Sequence, residues 1–138
     1  MARTDSFRQQ HKDLVSFVKE IEAKLNPATL PANADEVRKL LSTLAGKLSV
    51  HLAMEDKTLY PAMMQSGYAE AKQTAEKFMA EMGKLAAAFK DYTQKWPSPQ
   101  SITANPSGFC EQTKAVFKAL SERIQREESV LYNLADQI

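Results

Sequence analysis

Apolar residues recur at steps of three and four along nearly the whole chain, a period that suits a helix and not a half-buried strand. The first run carries Phe7, Leu14, Val18, Ile21 and Leu25; it opens at Asp5, a capping residue type, and stops at Asn26-Pro27. A turn-rich linker through Pro31-Ala32-Asn33 leads to a second run, from about Ala34 to Met64, with Val37, Leu41, Leu44, Leu48 and Leu59 on one face. Pro61 predicts a kink or an early end near Tyr60, and Gln65-Ser66-Gly67 offers a glycine for a left-handed C-cap. The third run, about Tyr68 to Lys95, carries Ala71, Ala75, Phe78, Leu85, Phe89 and Tyr92. Trp96-Pro97-Ser98-Pro99 breaks it, and the stretch to Pro106-Ser107-Gly108 is expected to be the longest loop. The fourth run, about Phe109 to Asp136, has Thr113, Val116, Leu120, Leu131 and Leu134 on its stripe.

Four long helices with three connections predict an all-α fold, an up-down-up-down antiparallel four-helix bundle. The 138 residues fit a single domain over 1–138, with a core large enough to stand without disulfides. A net charge of +1 leaves no basic footprint for nucleic acid. No stretch approaches the ~18 apolar residues of a membrane span, and the N-terminal residues show no apolar targeting segment. The single cysteine, Cys110, cannot form an internal disulfide and suits a reducing compartment, so a cytoplasmic location is expected. No nucleic-acid or membrane partner is expected, and a protein partner is left open.

Three of the four seams hold residues foreign to a plain core. His11 lies between Phe7 and Leu14; His51 and Glu55 follow Leu48; Arg123 and Glu127 follow Leu120. The chain also repeats itself. His51, Glu55, Asp56, Leu59 and Tyr60 share their spacing with Arg123, Glu127, Glu128, Leu131 and Tyr132. Phe7, His11, Leu14 and Val18 align in the same way with Phe78, Met82, Leu85 and Phe89. Each half thus offers one residue on its first helix and an i, i+4 pair on its second, which share a face. Helical rise places all six between roughly 9 and 21 Å from one end of the bundle, within one layer.

These residues give the chain a resemblance, over nearly its whole length, to hemerythrin-like domains of the HHE cation-binding kind. It rests on His11 with Gln10, Lys12, Asp13 and Leu14; on His51 and Glu55 followed by Leu59-Tyr60-Pro61; and on Glu127-Glu128 followed by Leu131-Tyr132. The resemblance implies a four-helix bundle built to hold two non-haem irons bridged by carboxylates. Family roles include oxygen carriage, oxygen or iron sensing, iron handling and stress responses. His11, His51, Glu55 and Glu127 match the family's ligands. Met82 and Arg123 stand where two further histidines, serving the second iron, would be.

The resemblance therefore implies a half-retained, mononuclear site. Two imidazoles and two carboxylates suit one divalent ion, with iron the first expectation and zinc or manganese as alternatives. Arg123 is expected to present its charge to Glu55 and Glu127 in place of the lost ion, with Met82 filling the vacated volume. Oxygen carriage, which in the family draws an electron from each of two irons, would then be lost, leaving metal or redox sensing or stress response. Beside this stands a metal-free regulatory or protein-interaction module, its core tied by Arg123 with Glu55 and Glu127. No catalytic residue is expected, since neither histidine stands beside a seam serine or cysteine. The absence of Glu-x-x-His argues against a ferritin-like oxidase. Tyr60 and Tyr132 are expected near the bundle end, Met54, Met63, Met64 and Met79 as filler, Cys110 as inert, and Asp56 and Glu128 on the solvated face.

Overall fold

The computed structural model describes residues 2–138. Helix α1 spans Asp5–Glu22 and α2 spans Leu30–Met54; a π-helical turn, Glu55–Leu59, joins α2 without a break to α3, Tyr60–Met64. Then follow α4, Ala69–Lys95, and a short α5, Pro99–Ala104. The last long helix runs from α6, Pro106–Arg126, through a second π turn, Glu127–Leu131, into α7, Tyr132–Ala135. No strand occurs among the described residues, and the four long rods alternate in direction as a four-helix bundle does. Among the described residues no helix is long and apolar enough to cross a membrane.

Several boundaries differ from expectation for local reasons. Thr4, not Asp5, holds the N-cap position of α1, and the Asp5 carboxylate accepts from the Ala2 N–H instead. The Thr4 hydroxyl donates to Asp136 at 2.9 Å, tying the start of α1 to the end of α7. Pro31 lies in the first turn of α2, where its missing N–H has no helical partner to lose, so the expected linker is already helical. In the expected loop, Ser98 and Ser101 form a reciprocal capping box that starts α5 and buries Ile102. Asn105 caps α6 by accepting from Gly108 N–H, and a Cβ at Gly108 would collide with that side chain. Gly67, at φ 83°, closes α3 as the glycine there predicts.

Pro61 does not end its helix. The backbone N–H of Tyr60 reaches the carbonyl of Glu55, five residues back, and that of Tyr132 reaches Glu127 in the same way. The second turn contains no proline, so proline is not the cause; what the two share is a glutamate at the start and Leu-Tyr at the end. The hydroxyls of Thr58 and Ser129 donate to the carbonyls of Met54 and Gln125, occupying acceptors beside the widened turns. Past the second turn the inward stripe passes to Ala135, leaving Leu134, expected on the seam, half-buried.

The core is divided. A larger apolar cluster holds Leu14, Val18, Leu41, Leu48, Phe89, Phe117 and Leu120, and a smaller one at the other end holds Phe7, Leu59, Met63, Phe78 and Leu131. Between them lies a buried polar layer of His11, His51, Glu55, Arg123 and Glu127.

Candidate metal centre

Every residue of the polar layer sits on a seam position, so the helical period that buries Phe7 and Leu14 also buries His11. His51 lies in the last turn of α2, and the two glutamates each open a π turn. His11, His51, Glu55 and Glu127 are at most 2 % exposed, and one donor atom from each falls within 4.8 Å of all the others. His11 Nε2 is 3.1 Å from His51 Nε2 and 2.8 Å from Glu127 Oε1; His51 Nε2 is 3.3 Å from Glu55 Oε2. The geometry brings together all four residues that the sequence singled out.

Neighbouring groups orient these side chains. His51 Nδ1 stands 2.7 Å from Gln10 Oε1, an acceptor, so Nδ1 carries a proton and Nε2 is the nitrogen aimed at the centre. His11 Nδ1 has no hydrogen-bond partner and faces Glu128 Oε2 at 3.7 Å, while Arg8 holds that carboxylate at 2.9 Å. Glu128 is thus half-buried against the cluster and is not the solvated residue expected. A cleft of about 440 Å³ between α1 and α6 has His11 and Glu128 in its wall.

The electrostatics are those of a buried cluster of two carboxylates and two imidazoles. Burial pulls the His51 pKa down, but hydrogen bonds to Glu127 and Glu55 and their charges outweigh it and push it up to about 9. Burial raises Glu55, and the neighbouring Glu127 charge adds to that. Burial would also raise Glu127, yet hydrogen bonds from His11 and His51 and the Arg123 charge hold it far below the usual carboxylate range. The polar layer keeps one firm anion and gathers protons around it.

Arg123 is buried, with Nε donating to Glu127 Oε2 at 2.9 Å and Nη2 donating to the Phe78 carbonyl at 2.9 Å and to Tyr60 Oη at 3.1 Å. Its guanidinium lies over the Phe78 ring, 4.4 Å from the centroid. Met82, one turn beyond Phe78 on α4, is buried as expected. The expected contact between Arg123 and Glu55 does not form. Tyr132 takes Glu55 instead, donating to Oε2 at 2.6 Å, and its hydroxyl is 3.1 Å from His11 Nε2. Sequence reasoning missed Tyr132 as a member of the cluster and Gln10 as its orienting neighbour.

The donor set fits a metal ion. Two imidazole nitrogens and two carboxylates from three of the four rods converge on one point, and Glu55 Oε1 is buried without a partner. Imidazole with carboxylate is the mixture first-row divalent ions accept. The chain matches the family model described as Hemerythrin HHE cation binding domain over residues 3–135. No curated protein and no solved structure matches it. A buried His/Glu cluster accords with cation binding, and with the match spanning nearly every residue, the chain belongs to the hemerythrin HHE cation-binding family.

Proposed function

We propose that this protein binds one divalent metal ion, iron first among the candidates, through His11, His51, Glu55 and Glu127, with Arg123 in place of a second cation. The observation that carries this reading is the division of Glu127. Its Oε1 lies 2.8 Å from His11 Nε2, among the candidate ligands, and its Oε2 accepts from Arg123 Nε at 2.9 Å. A carboxylate that would bridge two ions here faces a donor cluster on one side and a fixed guanidinium on the other.

The bound ion would supply Lewis acidity and, if iron, one-electron redox chemistry. The chain's own groups hold it: Gln10 fixes the His51 ring, Tyr132 fixes Glu55, and two apolar clusters shield the layer from water. A single ion cannot deliver the paired electrons of oxygen carriage, so the reading favours metal or redox sensing, iron handling or stress response. The metal-free alternative is less favoured because Arg123 pairs with Glu127, and with Glu81 at 3.8 Å, but not with Glu55, leaving both histidines and Glu55 convergent.

Metal analysis of the full chain, purified without an affinity tag, is expected to give one ion per chain, and His51→Ala is expected to abolish it. Two ions per chain would sink the half-site account, and none after reconstitution would return the chain to the metal-free reading.

Uptake should also depend on pH in a defined direction. In the metal-free protein His51 is protonated below about 9, with the Nε2 proton standing where the ion would bind. Binding expels that proton, so below about 9 affinity should rise by at least about tenfold per pH unit. Competition titrations at several pH values check this. An affinity independent of pH between neutrality and about 9 would place His51 outside the ligand set.

A further inference from the structure

The Tyr132 phenol is the one polar group in the buried layer that touches every candidate ligand. Its oxygen is 2.6 Å from Glu55 Oε2, 3.1 Å from His11 Nε2, 3.3 Å from Glu127 Oε1 and 3.4 Å from His51 Nε2. The ring is fully buried and held: it stacks on His11 with centroids 5.0 Å apart, lies against Phe7 at 5.9 Å, and carries the Arg8 guanidinium at 5.4 Å. A hydroxyl that only secured Glu55 would need one neighbour. This one donates its single proton to Glu55 and turns its lone pairs toward the centre of the cluster.

The internal repeat supplies a second, independent observation. Tyr60 is the counterpart of Tyr132, and Arg123 is the counterpart of His51. Tyr60, from the first half, crosses to the second-metal position, where its Oη accepts from Arg123 Nη2 at 3.1 Å and so rests on the group that has replaced the cation. At the retained position Tyr132 crosses over from the second half in the same way, behind the same kind of π turn, and its oxygen meets no arginine. What remains there for the phenol oxygen to meet is the ion itself.

We propose that Tyr132 is a fifth protein ligand, its phenol oxygen joining His11, His51, Glu55 and Glu127 on the metal. The inference rests on the one-metal reading above. Coordination exchanges the phenol proton, now given to Glu55, for the ion; the proton leaves to solvent and no oxidation state changes.

The test loads the full chain with ferric iron alone and, separately, with Co(II). Ferric protein is expected to show a visible phenolate-to-iron charge-transfer band, and Raman excitation within it should enhance tyrosine ring modes. Tyr132→Phe should lose both signals while Tyr60→Phe keeps them. With Co(II), Tyr132→Phe should shift the visible spectrum toward that of a site with one ligand fewer. A merely positioning tyrosine would alter affinity but give no charge-transfer band. Bound iron without the band, or a band surviving Tyr132→Phe, overturns this inference alone. If Tyr132→Phe fails to hold iron, the Raman modes of the unaltered chain and of Tyr60→Phe decide. If only Co(II) loads, the unchanged spectrum of Tyr132→Phe overturns it. Uptake of neither ion overturns it together with the one-metal reading.

Discussion

Arg123→Met is expected to destabilise the metal-free protein by about 3–5 kcal/mol, the range for removing one partner of a buried ion pair. The side chain is 6 % exposed and Glu127 is 2 % exposed, so water does not replace the lost donors. Three acceptors lose their partner at once: Glu127 Oε2, the Phe78 carbonyl and Tyr60 Oη. Methionine matches the length of the stem but supplies neither charge nor hydrogen bonds, and a midpoint drop of roughly 10 °C or more should follow in thermal unfolding. Adding Glu127→Gln should recover part of the loss, because the stranded carboxylate accounts for much of it; the pair is close enough for strong non-additivity. A loss below about 1 kcal/mol would match an exposed ion pair and overturn the assignment of Arg123 as a buried counter-ion.

The second large effect concerns stoichiometry. Changing Met82→His and Arg123→His together is expected to raise metal content from one ion per chain toward two and, with iron, to produce the absorption of a coupled di-iron centre. The repeat pairs Met82 with His11 and Arg123 with His51, and both side chains are buried. Arg123 already places its Nε 2.9 Å from Glu127 Oε2, so an imidazole on the same turn of α6 would face the carboxylate that the first ion would use from its other side. Either single change leaves the second position short of a ligand and is expected to stay at one ion. A double variant that folds and still binds one ion would count against the alignment of the two halves.

How much of this was legible depended on period. His11, His51, Glu55, Arg123 and Glu127 announced themselves because polar residues on an apolar stripe break a rule that the rest of the stripe obeys. Tyr60 and Tyr132 did not, for a geometric reason. At about 100° per residue, a side chain five positions past a glutamate points some 140° away from it on an α-helix. Only the wider π turn returns it to the same face, and nothing in residue type marks that turn. The sequence repeat, Glu to Tyr at the same spacing in both halves, was visible, but its meaning was not.

Gln10 was hidden differently. It lies beside His11 and off the seam, and reaches the neighbouring helix only through its length and the direction of its side chain. Glu128 looked like a solvated partner of Glu127, yet Arg8 draws it inward. The contact expected between Arg123 and Glu55 failed because Tyr132 already held Glu55, a competitor whose position no α-helical reading supplied. At the chain's loops, Pro31 reads as a linker residue, yet proline suits a first helical turn equally well.

Each π turn adds one residue to its rod, and everything beyond it is rotated by about 100° relative to an uninterrupted helix. That is why Met63 and Ala135 face inward where Ala62 and Leu134 do not. The identity of the side chains at this end therefore matters no more than their count. A chain one residue shorter within 128–130 would keep His11, His51, Glu55 and Glu127 and both apolar clusters' composition, but would swing Tyr132 out of the layer and bring the wrong face of α7 inward. Spacing, rather than chemistry, is the most fragile property of the site, and a deletion invisible to any comparison of composition would dismantle it.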